Sequence, residues 1–463
     1  MLGKNLIVLL MCMGIMHAQD FFDDASDTIK EDTQSGTSYE LNGFMRGVFF
    51  GGNNVSDNKA ELKSGYGELG IKMRARKAKW GDGYAEVRFR RGLEFDNTIS
   101  EFSIREAYVN AYLGNFDIRL GQQIVVWGRA DGFNPTNNIT PQNMLARSPD
   151  EDDRRDSNFL MRIFYYINPV NIEFIWVPQY LPSVLPTGQI PLPPGVTIED
   201  AINPDAKFNN SSIALKADLE LSSFDGSVSY FHGYMPLPSI SLPLSSIGFD
   251  TSTFDFTVSI RTRPYKMDVI GFDFSTTLAS LGIRGEVAYR KPVEDHKSPL
   301  NMSNVNFQTA ITGNLGIKVL DYIPNPDIQY VLGVDKTKGD FSIIVQYIGR
   351  YVIDFNEFQT TGFSLDELIL KNRMITSQQD EISHSVFMRP VLAMYHETMD
   401  VELLGYYNIT TEEVLLRPVI TYDLADALTL RAGAEWYSGP DNTLFGTIEK
   451  SLSSLFIELR ASF

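Results

Sequence analysis

Short segments in which apolar and polar residues alternate recur along the whole chain, and this pattern limits the possible fold most strongly. Residues 69–76, 85–90, 213–220 and 428–436 each place apolar side chains on one face and mostly charged ones on the other. A period of two is typical of a β-strand whose faces meet different surroundings. It fits two all-β classes, a soluble sandwich with an apolar core and a membrane barrel with a polar lumen.

The connections between the predicted strands favour the barrel. Turns of two to four residues alternate, after the first few strand pairs, with long segments near 127–157, 178–210, 234–264, 291–326, 352–383 and 438–453. Bacterial transmembrane barrels have short periplasmic turns, long extracellular loops and an even number of strands. We predict eighteen strands, with sixteen as the alternative, near 38–50, 62–76, 83–92, 102–113, 116–126, 158–167, 171–177, 211–221, 225–233, 265–276, 282–290, 327–336, 340–351, 384–395, 399–408, 413–422, 427–437 and 454–463. The sequence therefore predicts an all-β, transmembrane, antiparallel up-and-down barrel over residues 38–463.

The first residues are typical of export. Lys4 and the apolar run from Leu6 to Met16, followed by Ala18, predict a signal peptide over residues 1–18. Residues 19–37 are polar and acidic and predict a periplasmic N-terminal segment. The single cysteine, Cys12, lies within the signal peptide, so we expect no disulfide in the mature chain. Beyond the signal peptide the sequence has no run of about 18 apolar residues, so it predicts no membrane-spanning helix.

Charge and composition argue against several functions. The net charge of −18 disfavours a nucleic-acid partner. His232, His296, His384 and His396 lie in different segments, and no local motif pairs one with a nucleophile. We therefore expect no enzyme activity and no cofactor. The acidic residues 150–153 could bind a divalent cation, but Arg154 and Arg155 follow directly, and the glycine and spacing of a calcium loop are missing. A solvated run of charges is the favoured interpretation.

In a membrane barrel the apolar face of each strand contacts lipid, so the charged face must line the lumen. The strongest candidates lie on the first predicted strands, namely Lys72, Arg74, Arg76, Arg88, Arg90, Arg119, Glu68, Glu86 and Glu106. Others are Arg46, Arg162, Lys216, Arg284, Arg290, Arg350, Arg389, Arg417, Arg431, Arg460, Glu40, Asp117, Glu173, Asp218, Glu220, Asp273, Glu286, Asp335, Glu402, Glu435 and Glu458. The basic residues allow two interpretations. They form a wall that attracts anions, since arginine suits carboxylate and phosphate oxygens. Alternatively, they pair with the acidic residues of neighbouring strands, and these ion pairs brace the barrel. The near balance of acids and bases favours bracing.

Three strand positions interrupt the regular pattern. Arg105 is out of phase with Glu106, so one of them faces lipid, lies above the membrane or marks a bulge. The triplets Arg389-Pro390-Val391 and Arg417-Pro418-Val419 place proline inside predicted strands. Because proline cannot donate a ladder hydrogen bond, each triplet predicts a bulge or bend.

Two long loops are unusually apolar. Proline recurs among Leu, Ile and Val between Val177 and Val196, and again between Met235 and Phe249. Exposed loops with this much apolar surface are expected to fold back, contact a partner or admit an amphipathic molecule. We predict that they form a lid or plug over the barrel.

The last residues resemble a known bacterial signal, and one internal part of the sequence resembles a known family. Residues 455–463 alternate to the final Phe463, which resembles the signal read by the bacterial barrel-assembly machinery. The stretches Arg105–Asn110, Arg119–Gly128 and Asp131–Pro135 resemble an uncharacterised family of bacterial outer-membrane β-barrels that is related in architecture to the alginate-export porins. That resemblance implies a barrel of about eighteen strands, and in some relatives partnership with inner-membrane exporters of lipids or hydrophobic compounds.

Together these features predict a channel or transport component in the outer membrane of a Gram-negative bacterium, passing a solute or amphipathic cargo. The first alternative is a plugged structural barrel that docks a partner. The second is a transporter of hydrophobic compounds, with a lateral opening and inner-membrane partners. Expected contacts are outer-membrane lipid, the barrel-assembly machinery, and periplasmic or inner-membrane transport partners.

Overall fold

The structure, a computed structural model, describes residues 37–53, 59–95, 97–185, 195–250, 255–298, 301–302, 319–357 and 364–463. The predicted signal peptide and almost all of the acidic segment lie outside these residues. The strands are β1 (Thr37–Asn53), β2 (Ala60–Lys77), β3 (Gly81–Glu94), β4 (Asn97–Leu113), β5 (Phe116–Gln123), β6 (Asn158–Ile167), β7 (Val170–Val177), β8 (Val196–Glu199), β9 (Ser212–Glu220), β10 (Phe224–Tyr234), β11 (Ser239–Pro243), β12 (Gly248–Asp250), β13 (Asp255–Arg263), β14 (Lys266–Leu278), β15 (Leu281–Pro292), β16 (Val319–Asp321), β17 (Asp327–Lys338), β18 (Phe341–Val352), β19 (Ile382–Met394), β20 (Met399–Asn408), β21 (Glu413–Ala425), β22 (Leu428–Ser438) and β23 (Ser454–Ser462).

Eighteen of these strands form one closed antiparallel barrel. Each barrel strand pairs with the next one along the chain, and β1 closes the sheet by pairing with β23. At the closure the backbone of Gly43 exchanges hydrogen bonds of 2.8 and 3.0 Å with Phe463. Each of the eighteen predicted ranges corresponds to one barrel strand, so the fold class and the count of eighteen are confirmed.

The side chains of the barrel alternate between a lipid-type outer face and a packed interior. On β1, Met45 and Phe49 are 55% and 57% exposed, whereas Val48 and Phe50 are fully buried. Arg46, which follows Met45 directly, is also buried, because its side chain points inwards. A row of exposed large apolar residues outside and ionic residues inside is the arrangement of a transmembrane barrel.

The two ends of the barrel differ. At one end the strands are joined by short turns, such as 114–115, 168–169 and 426–427. At the other end are the long connections, which include residues 124–157, 178–211 and 353–381. We call these the short-turn end and the long-loop end. The predicted sorting of loops is confirmed.

The predictions for the three irregular strand positions have different outcomes. Arg105 is a bulge, because Glu86 pairs with Glu106 while the next residue of β3 pairs with Ile104. No register shift occurs at Pro390 or Pro418, so of the two predicted alternatives, a bulge or a bend, the bulge is wrong. Instead, residues 389–390 and 417–418 drop out of the pairing with the following strand while the register continues. A proline can be fitted in this way because only one ladder donor is lost.

The long-loop end carries structure that the sequence pattern did not predict. Strands β8, β11, β12, β13 and β16 form a small separate sheet. Helix α1 (Ser364–Thr376) packs on it through Leu368 and Ile369, which join an apolar cluster with Leu242 and Leu320. The described parts of the proline-rich loops contribute β8 and β11, while residues 186–194 lie outside the described residues. Helix α2 (Leu444–Leu452) packs against Tyr437 of β22.

No helix among the described residues is long and apolar enough to cross a membrane.

Candidate functional site

Residues 124–157, which we call the inner segment, fold into the barrel instead of standing above it. The segment leaves β5 and turns at Gly128, whose φ is +98°. A β-carbon at this position would lie 2.5 Å from Oε1 of Glu286 on β15. Glycine is therefore needed here both for the backbone conformation and for the close approach to the wall.

Glu286 fixes the first half of the inner segment to the wall. Its Oε1 accepts hydrogen bonds from the backbone N–H groups of Arg129 and Ala130, the second at 2.6 Å. Its Oε2 accepts one from the hydroxyl of Thr136 at 3.1 Å. A buried carboxylate with three donors is well satisfied, so this anchor holds the segment tightly.

Ion pairs extend the anchor to neighbouring strands. Arg129 lies 2.7 Å from Asp273 on β14 and 3.2 Å from Asp218 on β9. Asp131 pairs at 2.9 Å with Arg284 on β15. The first half of the segment is thus attached to one side of the lumen.

The second half of the inner segment is attached to a different part of the wall. The carboxylate of Asp153 lies 2.7 Å from Arg46 on β1 and 2.6 Å from Arg88 on β3. Arg46 also contacts Glu68 at 2.9 Å and Glu458 at 3.2 Å. Burial would raise the pKa of Asp153, but the two guanidinium groups outweigh it and hold that pKa well below its usual range.

The acidic run at 150–153 is therefore not simply solvated. Asp152 fits that expectation, because its side chain is 69% exposed and pairs with Arg155. Asp153 does not, because the side chains of Arg46 and Arg88 enclose it. In the described part of the chain, no group of three or more His, Cys, Asp or Glu residues is placed to hold a metal ion.

The nine predicted lumen residues fall into two groups. Glu68, Glu86 and Arg88 meet near Asp153, with Arg88 placed 2.7 Å from Glu86 and 3.4 Å from Glu68. Glu106 accepts a hydrogen bond from the backbone N–H of Ile124, at the start of the inner segment. The bulge beside it lets Arg105 also reach inwards, to the backbone oxygens of Asp152 and Arg155.

The remaining predicted lumen residues lie along the wall, and Arg90 also reaches the second half of the inner segment. Lys72 lies 3.8 Å from Glu86, Arg74 lies 3.9 Å from Asp82, and Arg90 lies 3.0 Å from Glu94. Arg90 also donates to the carbonyl of Arg147. Arg119 donates to Asn110 and its guanidinium lies 4.5 Å from the ring centre of Tyr108. Arg76 is exposed and lies opposite Asp82 in the strand register.

A cluster of three arginines around one buried carboxylate was missed by the sequence analysis. Arg147 and Arg154 of the inner segment each lie 2.9 Å from Glu435 on β22, and Arg417 on β21 lies 3.4 Å from it. Arg417 also pairs at 2.9 Å with Glu151. Strand parity identifies Arg417 and Glu435 as inward, but it cannot place residues of a loop.

Two cavities lie on either side of this cluster, between the inner segment and strands β18 to β22. The upper cavity, towards the long-loop end, has a volume of about 460 Å³. The lower cavity, towards the short-turn end, has a volume of about 270 Å³. Glu151 and Arg417 line both cavities. Their ion pair therefore stands at the boundary between the two.

Comparisons with known proteins agree with the fold. A sequence family described as "Protein of unknown function (DUF1302)" matches residues 21–150. OccAB1 of Acinetobacter baumannii is 11% identical with a TM-score of 0.53, over 92% of this chain and 96% of that one. The outer membrane protein OpdK of Pseudomonas aeruginosa is 7% identical with a TM-score of 0.51, over 92% and 98% of the two chains.

At these identities the likeness concerns the fold alone. No curated protein matches the sequence at a significant level. The relation to alginate-export porins is not tested by these likenesses and stays a prediction.

Proposed function

We propose that this chain forms a channel in the outer membrane of a Gram-negative bacterium, with its lumen narrowed by the inner segment. The observation that carries the proposal is the shared boundary of the two cavities. Glu151 and Arg417 line both, so a single ion pair stands between the upper and the lower space. The side chain of Glu151 is 41% exposed, so this ion pair is held less tightly than a pair with both partners buried.

The outward row of apolar side chains supports the membrane location. The outer-membrane barrels with the same fold support it as well, as an analogy of fold. A barrel of this strand number leaves an aqueous lumen unless loops fill it. Here the inner segment is held against β1–β3 and against β9, β14 and β15. It also contacts β21 and β22 through Arg417 and Glu435, and the two cavities leave the remaining space, the proposed passage, along β18 to β22.

For the arginines of β2 to β5, the contacts favour the bracing role over selection of anions. Arg88 and Arg90 are enclosed by Glu68, Glu86, Glu94 and Asp153 within the wall and the inner segment. Bases already neutralised in this way attract a passing anion weakly. We propose that these residues hold the inner segment in place.

Conductance across a planar lipid bilayer tests the channel directly. The purified barrel is expected to give steady openings, and its selectivity is compared among small anions, cations and neutral sugars. Changing Arg74, Arg88 and Arg119 together to glutamine is expected to leave anion selectivity unchanged if they brace the wall. A fall in anion preference would instead assign them to the conduction path.

Two other functions have specific support. The attachment of the inner segment on two sides of the lumen favours a plugged barrel that docks a partner, and such a barrel would give no openings.

The loss of pairing at Pro390 and Pro418 favours a lateral opening for hydrophobic compounds, because it weakens the wall on both sides of the β20–β21 hairpin. Lipid that co-purifies with the barrel would support the lateral route. The proline-rich lid and the transport partners stay proposals.

A further inference from the structure

The inward face of the barrel changes from charged to apolar side chains at the upper cavity. Ile348, Phe387, Leu404 and Leu415 lie on four neighbouring strands, β18 to β21, and all line this cavity. The residues two positions away on these strands are charged and point the same way, as Arg350, Arg389, Glu402 and Arg417 show. An apolar patch is not needed to keep a water-filled lumen open, since such lumens are normally polar.

The patch continues onto the elements that enclose the cavity. Phe133 of the inner segment packs against the cluster formed by Ile348, Phe387 and Leu404. Leu444 and Phe445 of α2 also line the cavity, and the ring of Phe445 lies 5.8 Å from that of Tyr406. The cavity therefore has apolar walls contributed by the barrel, the inner segment and a loop helix. A volume of about 460 Å³ is within the range of pockets that hold small organic molecules.

Seven of the eight charged groups that line the cavity are already engaged by partners. Four carboxylates (Asp131, Glu151, Asp380, Glu413) and four guanidinium groups (Arg154, Arg155, Arg350, Arg417) contribute to the lining. The arginines contact Glu435, Asp152, the carbonyls of Thr376 and Ser377, and Glu151 respectively. Asp131 pairs with Arg284, and Glu413 accepts hydrogen bonds from Phe445 and Thr411.

For the remaining carboxyl, burial raises the pKa of Asp380 while nearby Arg373 opposes that rise. No surplus of either sign is left to select a charged ligand, because the cavity's acids and bases are equal in number. Uncharged polar groups complete the lining, among them Ser383, Ser385, Asn408, Thr411 and Gln379. Hydroxyl and amide groups beside an apolar wall suit a molecule with an apolar body and an uncharged polar group.

We infer that the upper cavity is a binding site for an uncharged amphipathic organic molecule, with its apolar body against Phe387, Leu404 and Leu415. The inference rests on the proposed function, since it makes the outer part of the passage selective for this class of cargo. A ligand seated here would reach the Glu151–Arg417 ion pair next. The site thus precedes the boundary between the cavities.

Three probes with one ring system test the class of ligand. 1-Naphthol is uncharged, 1-naphthoate is an anion and 1-naphthylmethylammonium is a cation. Each is titrated calorimetrically into the full-length barrel held in lipid nanodiscs, with empty nanodiscs as the blank. We expect 1-naphthol to bind at least about tenfold more tightly than either charged probe, since a charged probe would lose its hydration in a cavity where seven of the eight ionic groups already have partners. Equal or tighter binding of a charged probe would overturn the inference.

Variants locate the site. Leu404→Ser combined with Leu415→Ser is expected to weaken 1-naphthol binding by about tenfold or more, because the apolar contact is lost. Leu415→Ser alone is the milder variant if the pair fails to assemble, and Val419→Ser, which lines only the lower cavity, is the control. Binding that is unchanged in both Leu415 variants would place the probe elsewhere and overturn the inference. Conductance is measured separately, so a silent barrel that still binds 1-naphthol would contradict the channel and not the site.

Discussion

The guanidinium of Arg417 on β21 lies 2.9 Å from the carboxylate of Glu151, and these two side chains line both cavities of the lumen. One partner belongs to the rigid wall and the other to the inner segment. The wall partner is nearly buried, with a 7% exposed side chain, whereas Glu151 is 41% exposed. The pair therefore has one fixed and one displaceable member.

Removal of Glu151 is expected to widen the passage. Glu151→Ala takes away the side chain that stands between the cavities, so single-channel conductance should rise. The change in the free energy of unfolding should stay below about 1 kcal/mol, because the ion pair is partly exposed. Asp205→Ala, which removes an exposed carboxylate that lines neither cavity, is the control and should leave conductance unaltered. Unchanged conductance in Glu151→Ala would show that this pair does not limit flow.

Loss of the Asp153 carboxylate is expected to destabilise the inner segment strongly. Asp153→Asn leaves Arg46, whose side chain is 2% exposed, short of one of its buried counter-charges. Breaking a buried pair by removing one partner typically costs about 3–5 kcal/mol. Urea or heat unfolding, followed by the mobility shift of the folded barrel on gels, measures this cost. The exposed pair of Asp205 and Lys207 supplies the control, and Asp205→Asn should change stability little.

The same carboxylate predicts a response to acid. Because the pKa of Asp153 is lowered in the folded protein, its contribution to stability is present above the ordinary aspartate pKa of about 3.9 and is lost only as the pH falls through the lowered value. The inner segment should therefore stay attached at this anchor at pH 4. Conductance recorded at pH 7 and pH 4 tests this. The variant Asp153→Asn should remove any protection against an acid-induced rise in conductance that the wild-type barrel shows. A marked increase in wild-type conductance at pH 4 would contradict it.

Glu286 should protect the first half of the inner segment from proteolysis. Glu286→Ala leaves the backbone donors of Arg129 and Ala130 without their acceptor, at about 1.5–3 kcal/mol for each bond to the charged group. We expect trypsin to cleave after Arg129 in this variant and not in the unchanged barrel. Glu402→Ala, which removes the partner of Arg389 on another part of the wall, is the matched control. Equal resistance of both variants would show that other contacts suffice.

The strands could be predicted from the sequence because apolar and polar residues alternate along each strand according to whether the side chain faces lipid or the lumen. Strand bounds for β6 and β20 agree to the residue, and the parity of Arg417 and Glu435 is evident without any structure. Even the apolar patch could have been found, since Phe387 and Leu404 lie two positions from charged inward residues. An apolar residue at an inward position of a polar lumen is the sequence signal for such a patch.

The inner segment could not be predicted from the same evidence. Its partners lie far away in the chain, as in the pair of Asp153 with Arg46, 107 residues apart. A loop has no period that reveals which way its side chains point, so acidic residues 150–153 look solvated in the sequence. Helix α1 and the small sheet were missed for a related reason, because they are stabilised by contacts among separate loops, such as Leu242 with Leu368.

The path of conduction is tested most directly with cysteines introduced at two inward positions. Thr421 lines the lower cavity, whereas Ser229 on β10 lies under Thr136 of the inner segment, near Gly271. If the predicted signal peptide is removed, the mature chain has no other cysteine. A charged thiosulfonate reagent should reduce the current through Thr421→Cys and leave that through Ser229→Cys unchanged. Current that is blocked at Ser229 and not at Thr421, or a barrel that never conducts, would contradict a passage along β18 to β22.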